Sequence, residues 1–507
     1  MAHRVRSTSD QLYGIARFFA HGGSYHNLYM LTGGNNYGLR AGRDATTAYA
    51  PDTAIDNFLL RHEPRFSSFQ RFFHVMKDVA HELLWNPVPI VPIPLNISSA
   101  FTTHKNKDSR AEVHEYGTLA FLSNFGDVGC MSDYFDFRGE SYFLPNHTVI
   151  IFNISTREII FNTSAITDKH GDDKPIPKPR RIDFKDWKYF QEDVGYGAIG
   201  NARQTSPEQL NLTKNDSDYL WYTFYTNKAG NISVQDIGWG GLQYCYVDGI
   251  RSDSIQGESP ADETSASRNL ELASQGNTSQ LSKKRKVEIF SVAPVGLSNQ
   301  KKKKVDILSV AMGMSTSVAP EDGKGIESAN ITNGNNTYTY KQFTTAWKLR
   351  GEELEIYTAK GSKLAAWKQM TSPELRKEDG LVWFQGAFEI PGYLLPHVGS
   401  SQPNQTAMVV NLKGLNKGMA YVNGFNIGRY WLAKGKCTGK CAPPQHGHYC
   451  FLHYEGCGKP TQHLYHIPFE ALKPSDNVLT LFEEAPSSKS RTLDKVFLQV
   501  IHNHPEW

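Results

Sequence analysis

Apolar positions near the start of the chain recur at helical spacing. In SDQLYGIARFFA (9–20), Leu12, Ile15, Ala16 and Phe19 fall at i, i+3, i+4 and i+7. This predicts a helix with one face on a core, with Ser9 or Asp10 as its N-cap. His21-Gly22-Gly23 reads as a stop, and Tyr25–Leu31 as a buried strand. A Gly/Asn loop follows, GGNNYGLRAG (33–42), and after Pro64 a second amphipathic stretch runs over Phe66–Leu84. Helix, strand, glycine-rich loop and helix make one unit of an α/β fold. A loop at the strand's carboxyl end is where such folds place ligands.

Beyond NPVPIVPIPL (86–95), which reads as a proline-rich linker, the helical period disappears. Short strands take over: Thr118–Leu122, Thr148–Asn153, Glu158–Asn162, Tyr219–Tyr225, Val305–Ala311, Met408–Leu412, Leu464–Ile467 and Val478–Glu483. Turn residues separate them, and Asn423-Gly424 is a two-residue hairpin turn. The pattern predicts β-sandwich modules. Residues 251–282 break it with a polar, low-complexity insert read as a disordered loop. Two basic runs follow, Lys283-Lys284-Arg285-Lys286-Val287 and Lys301–Lys304. They have the composition of nuclear-import or nucleic-acid patches, but the sequons and strands around them favour a solvated loop beside a strand.

Composition narrows the class. The 507 residues are 39% apolar, 12% aromatic and 21% charged, with a formal charge of +3. This excludes wholesale disorder and gives no support for a polyanion binder. No apolar run approaches the ~18 residues of a membrane-spanning helix. Four of six cysteines, Cys437, Cys441, Cys450 and Cys457, crowd one stretch that also holds His446, His448 and His453. Zinc is one reading, but no C-x2-C pair is present, and two disulfides in an oxidising compartment fit the spacing better. Eleven Asn-x-Ser/Thr sequons favour the secretory route. The N-terminal MAHRVRSTSDQLYG has no apolar core and is not a signal peptide.

Six collinear motifs now converge. ARFFAHGGSYHNLYMLTGGNNYGLRAG (16–42) resembles the "ARF-x-GGS-x-N-x-YM-x-GGTN" stretch of glycoside hydrolase family 35, the β-galactosidases. DYLWYTFY (218–225), VDILSVAMGM (305–314), KGMAYVNGFNIGRYW (417–431), GKPTQHLYHIP (458–468) and NVLTLFEE (477–484) are similar to further family segments, in order. The likeness is greatest to the long plant-like members. It implies a mainly β fold, with β-sandwich or jelly-roll (galactose-binding-like) domains preceded by the C-terminal remnant of a (β/α)8 barrel. The implied boundaries are barrel remnant 1–85, a small antiparallel β domain 96–167, a first jelly roll 183–345 carrying the insert, and a second jelly roll 346–507.

The resemblance also implies retaining hydrolysis of terminal β-linked galactose by two glutamates. Those belong to "ENEYG"-like and "E-x-W-x-GWF"-like motifs, and neither occurs here. Both lie upstream of the ARFF segment in the family, and Ala2-His3-Arg4 aligns with a "PHR" just after the nucleophile strand. The expectation is a chain without catalytic residues and without turnover. The alternative is a non-enzymatic carbohydrate-binding or scaffold protein of the same descent. Asp52, Asp56 and Glu63 read as loop and helix-cap polarity. Tyr29, matching the "YM" tyrosine, and Tyr49, in a departed "Y-D-Y-D-A-P" motif, are the expected substrate contacts. Trp221 and Gly428-Arg429-Tyr430-Trp431 invite a sugar-stacking reading, but aromatics at strand positions point to core, and His463 and His466 to structural roles. No metal or cofactor is expected. The expected partners are β-galactosides or galactose-containing glycans, with no nucleic acid and no membrane span. The expected location is extracellular, lysosomal or vacuolar.

The cysteine cluster yields the first prediction. Non-reducing peptide mapping should find Cys437, Cys441, Cys450 and Cys457 paired only among themselves. Their reduction should destabilise the C-terminal sandwich by ~2–5 kcal/mol. Stoichiometric zinc with four free thiols would overturn this.

Overall fold

The computed structural model describes residues 3–41, 47–49, 53–85, 91–100, 110–125, 132–166, 180–196, 208–214, 216–237, 242–252, 287–292, 302–312, 323–375, 380–399, 406–432, 434, 452–455, 458–484 and 491–502. The four clustered cysteines, Asp52 and most of the 251–282 insert lie outside these residues. Among those described, the architecture is mainly β, in antiparallel sheets.

The first helix, α1, spans Thr8–Ala20. Its N-cap is Ser7, whose hydroxyl accepts the Asp10 N–H, rather than Ser9 or Asp10. The helix therefore begins two to three residues earlier than its apolar period suggested. The predicted strand at Tyr25–Leu31 does not form. Its residues pair with no strand among the described residues, and Tyr25 and Tyr29 are 77% and 83% exposed. The later amphipathic stretch forms α2 (Arg65–Asp78) and α3 (Ala80–Leu84). Both α1 and α2 bury their apolar stripes against a five-stranded sheet, Leu12, Ala16 and Phe72 meeting Phe121, Ile151 and Phe161. That sheet contains Ile93–Pro94, so the proline-rich segment ends as an edge strand paired with Ala111–Tyr116. Its other face packs on a three-stranded sheet through Val113, Leu122, Phe135 and Phe152.

Most of the remaining strands form two further sandwiches. Tyr219–Thr226 lies within a five-stranded sheet facing a four-stranded one. Its unbroken apolar run is explained by burial on both faces. Leu220, Tyr222 and Phe224 enter the core shared with Ile232 and Ile331, while Tyr219 and Trp221 face the opposite way. The last sandwich sets a six-stranded sheet, with Val382–Phe388, Asn477–Glu483 and Lys417–Val422 at its centre, against a four-stranded one. Asn423 and Gly424, at φ of 52° and 95°, make the predicted hairpin turn to Phe425–Trp431. Trp383, Met419, Tyr421 and Phe482 project from this sheet onto Tyr219, Trp221 and Leu308, so the two sandwiches share an aromatic seam.

A buried charge cluster sits in that seam. Arg429 pairs with Glu484 and, at 2.7 Å, with Asp218, while Lys417 Nζ lies 3.3 Å from Glu484. The Tyr219 phenol donates to Glu484 at 2.8 Å. Burial alone would raise the Glu484 carboxyl, but Arg429, Lys417 and these hydrogen bonds outweigh it and hold it at about 2. Glu352 is the contrary case. Burial, with Glu192 and Asp218 nearby, pushes it up to about 8 despite hydrogen bonds from Leu349 N–H and Ser217.

Two predictions follow from the seam. Arg429→Met should cost about 3–5 kcal/mol in urea unfolding, because Glu484 and Asp218 lose their main counter-charge. A loss below ~1 kcal/mol would be the contrary result. The raised Glu352 value means the folded state holds a proton that the unfolded chain releases near 4.5. Its stabilising contribution is complete below that pH and is lost as pH rises through about 8. Glu352→Gln should flatten the fall in Tm across that window, and an unchanged slope would refute the assignment.

Candidate functional site

The loop after Tyr29 is held by the last sandwich. Gly38 N–H donates to Asn426 O at 3.1 Å, and the Tyr37 phenol hydrogen-bonds with His466 Nδ1 at 2.7 Å. Burial holds His466 down at about 4, so its ring is neutral. The segment around Ala48 is fixed from the same side. Thr47 Oγ1 donates to Arg429 O at 2.5 Å, and Gln462 Oε1 accepts the Ala48 N–H at 3.0 Å. The two arms join where Asn36 N–H donates to Thr47 O and Tyr49 N–H to Gly34 O. Ile55 N–H then closes onto Leu31 O at 2.9 Å.

These ties place Tyr29 and Tyr49 on one cavity of about 790 Å³. Its walls come from α1 (Gln11, Ile15), from His26 and from the α2 face bearing Arg65, Phe69 and Phe73. A hydrogen bond with Tyr29 and that neighbour's charge raise the Tyr49 phenol above its ordinary value. Burial lowers His26, whose ring packs on Phe18, Phe19 and Phe73. The cavity thus offers two phenols, aromatic faces, a neutral imidazole and a guanidinium, and no carboxylate among its described lining residues. That set can hydrogen-bond hydroxyls and cover C–H surface. It does not supply a carboxyl pair.

The acids near the cavity have local duties. Asp56 accepts the Phe58 and Leu60 N–H groups, and burial raises its carboxyl against those bonds. Glu63 accepts the Ser67 N–H and hydroxyl at the start of α2. Trp221 and Tyr430 are fully buried, and Arg429 is 5% exposed, so this group faces no solvent. Burial, with the Lys413 charge, lowers His463 to about 4. Sequence reasoning did not single out His26, Arg65, Phe69 or Phe73. The helical period marks the phenylalanines only as an apolar stripe and does not tell cavity wall from core.

The described strands from Val382 to Asn477 coincide with a match, over residues 381–477, to the family described as β-galactosidase, galactose-binding domain. Beta-galactosidase 8 of Arabidopsis thaliana is 28% identical across 99% of this chain and 56% of its own length. Beta-galactosidase 13 of Arabidopsis thaliana is 26% identical across 97% and 51%, and Beta-galactosidase 12 of Oryza sativa subsp. japonica 28% across 94% and 46%. The chain therefore spans about half the length of the curated relatives it matches. A solved α-L-rhamnosidase from Dictyoglumus thermophilum aligns at a TM-score of 0.16 and 10% identity, over 82% of this chain and 45% of that one. With the galactose-binding sandwich matched and collinear plant relatives along nearly its whole length, the chain is similar to the plant β-galactosidases.

Proposed function

We propose that this polypeptide serves a glycosidase acting on terminal β-linked galactose, and that its 507 residues contribute one wall of the sugar site without the bond-cleaving pair. The cavity lining carries this reading: paired Tyr29 and Tyr49 beside aromatic faces, with no carboxylate among the described lining residues. Retaining hydrolysis needs two carboxyls about 5–5.5 Å apart, one to attack the anomeric carbon and one to protonate the leaving oxygen. Tyr29 and Tyr49 would orient galactose hydroxyls, and neither can replace a carboxylate in charge stabilisation. β-Galactosides or galactose-containing glycans are the ligands this chemistry suits. The sequon density supports a secreted, lysosomal or vacuolar location. Among the described residues no helix is long and apolar enough to cross a membrane.

A second reading, a carbohydrate-binding or scaffold protein, is favoured by the match to a galactose-binding domain over residues 381–477. Under it the sandwiches themselves would hold sugar.

One experiment addresses both readings. The purified chain should hydrolyse a chromogenic β-galactoside no faster than a mock preparation. Galactose should shift the Tyr29 and Tyr49 ring resonances, and Tyr29→Ala should remove that response. Turnover that survives stringent purification and is abolished by Tyr29→Phe would overturn the proposal. Galactose binding unaffected by Tyr29→Ala would favour the sandwich reading.

A further inference from the structure

On the side of α1 away from its N-cap, three ligand-type side chains meet. The helix ends at His21, whose backbone N–H closes onto Arg17 O at 3.0 Å. The Tyr116 phenol donates to Ala20 O at 2.8 Å and so holds the helix end over the sheet. Strand Ala111–Tyr116 alternates beneath it. Ala111 and Val113 enter the sheet–sheet core, while Tyr116 belongs to the helix-facing core, the face shared by Glu112 and His114. One donor atom each from His21, Glu112 and His114 lies within 4.8 Å of the other two. His21 Nε2 is 3.2 Å from Glu112 Oε1, and the two imidazole centroids are 4.4 Å apart.

His114 supplies an independent observation. Its side chain is 0% exposed, and among the described residues neither ring nitrogen has a hydrogen-bond partner. Buried polar groups are almost always satisfied, so an imidazole with two orphan nitrogens points to a missing ligand. A neutral imidazole offers one ring nitrogen with a lone pair able to coordinate a metal. Ser123 lies directly opposite Glu112 in the strand register, and its buried hydroxyl also lacks a partner among the described residues.

We propose that His21, Glu112 and His114 form a binding site for a divalent transition-metal ion of the zinc type. Two imidazoles and one carboxylate suit zinc and its neighbours rather than calcium or magnesium, and they leave a fourth position for water or an anion. Zn–N and Zn–O bonds of about 2.0–2.2 Å require the three donors to close in slightly. His21, the exposed member, makes that adjustment. Arg17 donates to Glu112 Oε1 at 2.9 Å and rests on the Phe125 ring, leaving Oε2 for the metal. Its positive charge weakens the site and favours an anion at the fourth position. The metal would fasten the end of α1, a wall of the tyrosine cavity, to the neighbouring sheet.

The test uses the full chain stripped by chelator and titrated with Co²⁺ and Zn²⁺. One equivalent of Co²⁺ should give visible d–d bands without thiolate-to-cobalt charge transfer, and Zn²⁺ should displace it and raise Tm. The absence of charge transfer separates this site from the cysteine cluster, which would bind through sulfur. His21→Ala, at an exposed position that caps the helix only through its backbone, should leave the metal-free Tm unchanged. It should weaken binding by more than about tenfold. His114→Gln should do the same. A spectrum with no nitrogen- and oxygen-ligated cobalt, or one retained in both variants, would overturn the proposal.

Discussion

Arg429 is the charge around which the two larger sandwiches are assembled. Its guanidinium reaches Asp218, just before an interior strand of one sheet, and Glu484, just after an interior strand of another. Each partner is nearly inaccessible to water. Such a cluster is costly to dehydrate, and its two anions and two cations must all be satisfied together. The aromatic seam of Tyr219, Trp221, Trp383 and Phe482 provides the dry surroundings that make the pairing strong. The cluster in turn fixes how the seam is registered, since a sliding of one sheet would strand a buried charge. Apolar contact alone tolerates such slippage far better.

Much of this was legible in the chain. Thr148–Asn153, Glu158–Asn162 and Leu464–Ile467 form strands at the boundaries their alternation suggests. Tyr219–Thr226 differs by one residue from its expected end. These segments are β-branched or aromatic and bounded by turn residues, so local preference and tertiary packing agree. Tyr25–Leu31 has no β-branched residue and fails, because it pairs with no strand among the described residues. Ile93–Pro94 errs in the other direction. Proline reads as linker, yet an edge strand tolerates the missing N–H where it faces away from its partner.

The site was legible in part. The resemblance singles out Tyr29 and Tyr49, which lie on one cavity, but nothing in their spacing indicates that their phenols would pair. His21, Glu112 and His114 were invisible for a plainer reason. Metal-ligand patterns are recognised when donors are close in sequence, and here one comes from a helix end and two from a distant strand. In sequence Glu112 and His114 are two polar residues on an alternating strand, which is the signature of a solvated face. The helix covering that face turns them into buried ligands.

The Gly428-Arg429-Tyr430 triplet shows why family motifs need not be binding motifs. Gly428 sits at φ 106°, a conformation that disfavours side chains, and a Cβ there would come within 2.8 Å of Thr47 and 3.0 Å of Asn36 O. That vacancy seats the loop leading to Tyr49. The Arg429 carbonyl then binds Thr47, while its side chain turns inward to Glu484 and Asp218. The Tyr430 phenol donates to Phe482 O at 2.8 Å and closes the other side of the sheet. Each residue joins a different pair of elements, so the three together transmit the position of the seam to the loop that carries Tyr49. The aromatic and basic character that suggests sugar recognition is spent on this joint, which positions the loop that carries Tyr49.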